Sequence, residues 1–174
     1  MYQYKREPLT EGEAGRLAKS CRTRREKLVV WTFLDTGLRL GKLAQLKNTN
    51  VDQELHRVTV YGKGGPYGCM SRRRTLPLSR RIRPLLETHF DAHDTLGISR
   101  RTIQRIVKAV ADRASIARPV STLILRHTFA VLAVRKGISL PTLQGLLGHD
   151  HLTTTQIYLN LSPEDVIREY DARW

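Results

Sequence analysis

The chain has 174 residues, a length that suits one domain over residues 1–174, with its core expected to begin near residue 9. Its 30 Lys and Arg residues against 16 Asp and Glu give a formal charge of +14, which predicts a polyanionic partner, nucleic acid before a membrane surface. No apolar run approaches the ~20 residues that span a bilayer, and the first residues lack the apolar core of a signal peptide, so we expect a cytoplasmic protein.

Three helices are predicted in the first 46 residues. Thr10 precedes Glu13 by three residues, the spacing of a capping box, so the first helix begins here. A second helix over residues 27–34 ends at Thr36-Gly37, where glycine can take the left-handed conformation that stops a helix. A third helix covers residues 40–46. Arg39 precedes it just past the corner, either directed at a ligand or simply solvated.

An antiparallel hairpin is predicted next. Residues 55–61 alternate and contain β-branched side chains, and residues 73–78 form a plausible partner strand. The connection, residues 62–68, is rich in glycine and places Lys63 in a flexible loop. This loop lacks the GxxxxGK[ST] pattern of a nucleotide-binding loop. Lys63 is therefore either a lysine that reaches a ligand or a solvated residue of a plain turn.

Two amphipathic helices are predicted over residues 79–93 and 99–114. The second has an inward apolar stripe that includes Ile103 and Val107, and a basic outer face that can follow a DNA backbone or remain a solvated surface. Three consecutive arginines in the hairpin add to this basic surface. The candidate DNA-binding residues are Arg72, Arg73, Arg74, Arg100, Arg101, Arg105 and Lys108.

Residues 123–134 form a helix whose apolar side chains cover the whole circumference, the pattern of a helix buried on every side. One of its few polar residues is Arg126. A buried guanidinium requires an anionic partner, and no Asp or Glu lies between Ser115 and Gly148. Because a guanidinium matches phosphate oxygens with two parallel hydrogen bonds, the partner is either a structural carboxylate from elsewhere in the fold or a phosphate ligand.

A helix-turn-helix outline is predicted from residues 140–147, the Gly148-His149 turn and residues 153–159. Ser162 opens a final helix that runs to about residue 173. Taken alone, Tyr158 is an ordinary helix-packing aromatic.

No metal site is predicted. Cys21 and Cys69 are too few for a disulfide framework and do not form a CxxC pair. His149 and His151 are two residues apart and have no cysteine nearby, a pattern that does not indicate zinc.

Four short motifs follow one another along the chain: TGLRLGKLAQL at residues 36–46, GKG at residues 62–64, LRHTFA at residues 125–130, and LGH at residues 147–149. Tyr158 follows nine residues after the last of these. In this order and spacing they resemble the catalytic domain of the tyrosine recombinases, the phage integrase and Xer-type family. The resemblance covers nearly the whole chain and implies a mainly α fold with a small antiparallel β-sheet, an α+β architecture.

The resemblance implies a role for each motif residue. Arg39 and Arg126 clamp the scissile phosphate, and Tyr158 is the nucleophile. Lys63 supplies the proton for the leaving 5′-hydroxyl, and His149 holds a non-bridging oxygen or orients the nucleophile. The covalent 3′-phosphotyrosine conserves bond energy, so no cofactor, neither ATP nor metal, is expected. The implied partners are double-stranded DNA and other protomers, a tetramer in the synapse, with the last helix docked on a neighbouring protomer.

Two residues depart from the family pattern. Leu123 stands where the family usually has the histidine of His-x-x-Arg, so the phosphate loses a hydrogen-bond donor and slow cleavage is expected. Lys42 stands where an acidic residue commonly follows the first arginine. The small N-terminal DNA-clamping domain of the family is also absent, which favours a fragment of a longer integrase over a minimal recombinase.

The leading hypothesis is therefore a site-specific DNA recombinase or integrase of the kind that mobile elements carry, acting through Tyr158. Three other functions stay open at this point. They are a recombinase-derived DNA-binding protein disabled at Leu123, a type IB-like topoisomerase, and a helix-turn-helix regulator built on residues 140–158.

Overall fold

The computed structural model of the chain describes residues 7–62, 73–148 and 171. Within them helices dominate, and three short strands form one antiparallel sheet in the order β1-β2-β3, so the predicted α+β class is confirmed. A short 3-10 helix, Asn48–Asn50, precedes β1. The helices and strands are α1 (Glu11–Lys19), α2 (Arg24–Thr36), α3 (Leu40–Ala44), β1 (Val51–Asp52), β2 (Arg57–Tyr61), β3 (Arg73–Pro77), α4 (Arg83–Phe90), α5 (Arg100–Arg113), α6 (Thr122–Arg135) and α7 (Leu140–Leu147).

Capping boxes begin the first two helices. At α1 the Thr10 amide donates to the Glu13 Oε2 at 2.7 Å while the Glu13 amide donates to the Thr10 hydroxyl at 3.2 Å, as predicted. Thr23 and Glu26 form a second box, with the Glu26 amide 3.1 Å from the Thr23 hydroxyl. Because this second box satisfies the amides of the first turn, α2 begins at Arg24 and not at the predicted residue 27.

Two predicted helices are shorter in the structure. Instead of continuing α3 to residue 46, the chain leaves the helix after Ala44, and the Leu46 carbonyl accepts a hydrogen bond from the Leu96 amide at 2.9 Å. α4 spans Arg83–Phe90 and not residues 79–93. It begins at Arg83 because Pro84 lacks an amide proton and is accommodated only in a first helical turn, and it ends at Phe90 with Asp91 as its C-cap.

The sheet has one more strand than the predicted hairpin. β1 pairs with β2 in antiparallel register, Val51 opposite Val58. Two residues are too few to show an alternating pattern, so β1 was not predicted. β2 begins at Arg57 because Leu55 and His56 belong to the preceding turn, where the Leu55 amide donates to the Asp52 Oδ1 at 2.9 Å.

The core surrounds α2, which contacts α1, α4, α5 and α6. Val29, Val30 and Phe33 of this helix are completely buried. The inward stripe predicted for α5 is confirmed, since Ile103 and Val107 are buried. None of the helices in the described ranges is both long and apolar enough to cross a membrane.

α6 is buried on nearly every side, as its all-round apolar pattern predicts. Its exposed residues are Leu123 in the first turn and Arg135 in the last, whereas His127, Val131, Leu132 and Val134 are partly buried. α7 spans the predicted residues, from a Ser139 cap, whose hydroxyl accepts from the Thr142 amide, to Gly148 in the left-handed region. α6 and α7 contact each other, and this contact forms one wall of the candidate site.

Candidate active site

The corner between α2 and α3 is formed by Gly37, which has a φ of +60°. A Cβ atom at this position would lie 2.4 Å from the Phe129 Cδ1 atom on α6. Both the left-handed backbone and this close approach require glycine, because any side chain would be strained and would collide with Phe129. The corner therefore packs tightly against α6, and it places Arg39 two residues further along.

Arg39 occupies the N-cap position of α3, and its side chain makes no capping hydrogen bond. The residue is exposed. In the described ranges of the chain, no carboxylate lies within ion-pair distance of its guanidinium, whereas Arg57, Arg81, Arg113 and Arg118 all pair with acids. The positive charge of Arg39 is thus presented to solvent at the surface of the corner.

Arg126 lies on α6 and is only 4% exposed. Its Nη1 donates to the Gly37 carbonyl at 2.6 Å, and its Nη2 donates to the Leu147 carbonyl at 2.7 Å. These two carbonyl acceptors satisfy guanidinium donors without carrying a full negative charge. The structure thus ties Arg126 to the Gly37 corner, two residues before Arg39, and to the end of α7 in one hydrogen-bonded framework.

Arg74 joins this framework from β3. It was predicted as one of several surface contacts to DNA, but the structure places it half-buried, with its Nη1 donating to the Leu147 carbonyl. Burial, and secondarily the charge of Arg39, lowers the pKa of the Arg74 guanidinium to about 10, so the group remains protonated at neutral pH. Arg74 and Arg39 are therefore close enough for their charges to repel each other.

The inward position of Arg74 could have been found from the strand pattern. Side chains of a strand alternate between faces, so Arg74 shares a face with Leu76, which is buried, while Arg73 points the other way and is exposed. In the sheet Arg74 stands opposite the buried Val60. The sequence prediction treated the three arginines as one basic cluster and did not use this alternation.

The basic face of α5 adjoins the site. A Cβ atom at Gly41 of α3 would lie 3.1 Å from the Arg100 Nη2, so the Arg100 guanidinium packs on α3 two residues from Arg39. Arg101, Arg105 and Lys108 are exposed on the same helix, and no ion pair involves them in the part of the chain that the structure describes. A basic surface thus extends from Arg39 along α5.

Leu123 lies in the first turn of α6, three residues before Arg126. It is 39% exposed and does not belong to the core. A side chain at position 123 can reach solvent on the same helix as the buried arginine. Lys42, the second departure from the family pattern, is half-buried in α3.

Several predicted residues lie outside the described ranges: Lys63, Arg72, His149 and Tyr158, together with the predicted helix over residues 153–159. Within the described ranges, no group of three or more His, Cys, Asp and Glu side chains has the geometry of a metal site.

A family model described as the phage integrase family matches residues 7–165 of the chain. The chain therefore belongs to the phage integrase family, and the motifs identified in the sequence are those of its catalytic domain.

Among its relatives, tyrosine recombinase XerD of Bifidobacterium longum is 32% identical over 163 residues, which are 84% of this chain and 53% of the relative. Tyrosine recombinase XerA of Saccharolobus solfataricus is 33% identical over 168 residues, covering 93% of this chain and 55% of the relative. The chain thus spans about half the length of the curated relatives that it matches.

The fold is shared with solved recombinases. A crystal structure of XerA recombinase superposes with a TM-score of 0.83 at 28% identity and covers 99% of this chain and 65% of that one. A XerH site-specific recombinase bound to a palindromic difH substrate superposes with a TM-score of 0.75 at 21% identity, over 94% of this chain and 52% of that one. This second comparison shows that the two chains share a fold.

Proposed function

We propose that the chain is the catalytic part of a site-specific DNA recombinase that cleaves and rejoins double-stranded DNA through a 3′-phosphotyrosine at Tyr158. The observation that carries this proposal is the hydrogen bond from the buried Arg126 guanidinium to the Gly37 carbonyl, two residues before the exposed Arg39. Two guanidiniums at one site can neutralise the charge that develops on the non-bridging oxygens of a phosphodiester during transfer.

The proposed reaction has two balanced steps. The Tyr158 hydroxyl gives up its proton to solvent and its oxygen attacks the scissile phosphorus, so that a Tyr–O–P bond forms and the bond from phosphorus to the 5′-oxygen breaks. Lys63 donates a proton to that leaving oxygen, while Arg39 and Arg126 hold the phosphate. In the second step a 5′-hydroxyl returns its proton to Lys63 and its oxygen attacks the phosphotyrosine. The bond from phosphorus to the Tyr158 oxygen breaks, that oxygen takes a proton back from solvent, and the energy of the broken bond is kept without ATP.

The surroundings of the site support a DNA substrate. The basic face of α5 continues from Arg39, and the whole chain carries a charge of +14. By likeness to XerH bound to a palindromic substrate, we infer that this chain acts as several protomers on one DNA site. We infer that this chain acts on DNA in the cytoplasm.

The experiment is covalent trapping on DNA. Duplexes selected from a random library for binding to the full chain supply a nicked substrate, and a denaturing gel then measures a protein–DNA adduct. The wild type should form the adduct, and Tyr158→Phe should abolish it while DNA affinity stays within a few fold, since only the nucleophilic hydroxyl is removed. Tyr61→Phe, at a tyrosine that is 47% exposed at the end of β2, is the matched control.

An adduct that persists in Tyr158→Phe would end the assignment of the nucleophile. DNA binding without any adduct in the wild type would favour a recombinase-derived DNA-binding protein instead. Relaxation of a supercoiled plasmid without recombinant products would favour a topoisomerase.

A further inference from the structure

The carbonyl oxygen of Leu147 accepts hydrogen bonds from two guanidiniums. One comes from the Arg126 Nη2 at 2.7 Å and the other from the Arg74 Nη1. This single acceptor therefore connects β3, α6 and the last residue of α7. Arg74 lies outside the four family motifs, so its part in this arrangement follows from the structure.

The end of α7 leaves space for the Arg74 side chain because residue 148 is a glycine. Gly148 has a φ of +62°, and a Cβ atom there would lie 2.0 Å from the Arg74 Nη1 and 3.1 Å from its Cδ. A side chain at this position would therefore be strained by the left-handed backbone and would displace the end of the Arg74 side chain. The last carbonyls of a helix lack intrahelical partners and carry the negative end of the helix dipole, so two cations are favourably placed on Leu147.

The position of Arg74 is unfavourable for stability in another respect. The side chain is half-buried beside the cation Arg39, and no carboxylate in the described ranges forms an ion pair with it. By contrast, the partly buried Arg113 bonds to Glu26. A desolvated charge beside a like charge costs stability. The position of Arg74 therefore points to a role in the site and not to a contribution to stability.

We propose that Arg74 is a positioning residue for DNA cleavage, which holds the Leu147 carbonyl and thereby fixes the end of α7 and the Arg126 guanidinium that shares this acceptor. The inference rests on the proposed function, in which Arg126 binds the scissile phosphate. His149, the next predicted site residue, follows Gly148 directly in the sequence. A shift of this helix end would misplace these groups relative to the phosphate.

A positioning role differs measurably from a general contact with the DNA backbone. Loss of a backbone contact weakens binding, and the deficit disappears when DNA is saturating. Loss of positioning lowers the rate at saturating DNA, because misplacement by about 1 Å can cost on the order of 100-fold.

The test compares Arg74→Met, Arg74→Lys and the control Arg80→Met in the full chain. Arg80 is exposed in the turn after β3, so its replacement removes the same charge away from the Leu147 carbonyl. The measurements are the single-turnover rate of adduct formation at saturating DNA, the DNA dissociation constant, and hydrogen exchange of the amides of residues 140–147, which form α7.

Arg74→Met should lower the saturated rate by about 100-fold and speed exchange at the end of α7, while the dissociation constant changes only a few fold. Arg74→Lys keeps one donor for Leu147 and should recover the rate to within about tenfold of wild type. Arg80→Met should leave the rate and the exchange unchanged.

A wild-type rate in Arg74→Met, or a loss confined to the dissociation constant, would overturn the inference while leaving the proposed function intact. If Arg74→Met does not fold, Arg74→Lys decides: a folded lysine variant with unchanged exchange and a rate as low as background would also overturn it. A wild-type chain that forms no adduct would overturn the proposed function and this inference together.

Discussion

Leu123 places an apolar side chain at the solvent-facing start of the helix that carries Arg126. Leu123→His should speed adduct formation, because an added donor to a developing phosphorane is worth roughly 10² to 10³ in rate. Thermal stability should change little, since the side chain is 39% exposed and an imidazole there stays hydrated. Single-turnover cleavage and thermal unfolding of the same variant measure both effects.

Leu55→His is the matched control for this substitution. Leu55 is 61% exposed in the turn between β1 and β2, so the same chemical change is made at another surface position. Equal cleavage rates in Leu123→His and wild type would show that position 123 does not reach the phosphate. A drop in unfolding temperature confined to Leu123→His would show that the imidazole displaces necessary packing.

At the level of elements, the site depends on how the α2–α3 corner meets α6. Gly37→Ala should reduce the free energy of unfolding by about 2 to 5 kcal/mol, since a left-handed alanine costs roughly 1 to 2 kcal/mol and the collision with Phe129 adds an overpacking cost. The corner also supplies the Gly37 carbonyl that binds Arg126, so cleavage should fall as well. Denaturant unfolding measures the stability change.

Gly137→Ala separates the two contributions. Gly137 has a φ of +82°, but a Cβ atom there would have nothing within 4 Å. Its replacement should therefore cost only the backbone strain, about 1 to 2 kcal/mol, and leave cleavage unaffected. Equal losses in the two variants would mean that the approach of Phe129 contributes nothing and that the corner can relax.

The elements themselves were predictable wherever local signals were strong. α7 was predicted in full, up to the Gly148-His149 turn, and α6 was predicted because no polar stripe interrupts its apolar surface. The two-residue strand β1 has no signal of its own and exists only through its pairing with β2. β1 is stabilised by its tertiary contacts, and a local sequence pattern carries no information about such contacts.

The candidate site was predictable in composition but not in its connections. Arg39 and Arg126 were singled out by the motifs, yet nothing in the sequence indicates that both Arg126 and Arg74 donate to Leu147. These residues are separated by 21 and 73 positions from that carbonyl, and only the packing of β3, α6 and α7 brings them together. Such long-range hydrogen bonds produce no periodic pattern in the amino-acid sequence.

Over the whole molecule, the acidic residues that form ion pairs lie apart from the arginines of the candidate site. The acids of the described ion pairs are Glu7, Glu13, Glu26, Asp35 and Asp52, all of which precede residue 57 and engage arginines away from the site. Arg39 before α3, Arg74 of β3 and the outer-face arginines of α5, which are Arg100, Arg101 and Arg105, have no such partners in the same ranges. The positive charge at the candidate site is therefore not neutralised by these acids and is available to phosphates.

This distribution predicts strongly salt-dependent DNA binding. If roughly six phosphates are contacted, affinity should fall about a thousandfold between about 50 and 200 mM salt, because each contact releases condensed counterions.

Arg105→Gln should reduce the slope of log affinity against log salt by about one, whatever the DNA sequence, since Arg105 is exposed on the basic face of α5. Arg118→Gln removes the same charge from a guanidinium held 2.8 Å from Glu13, and its slope should match wild type. Titrations at four salt concentrations measure the slopes, and binding that is insensitive to salt would point to a partner other than a nucleic acid backbone.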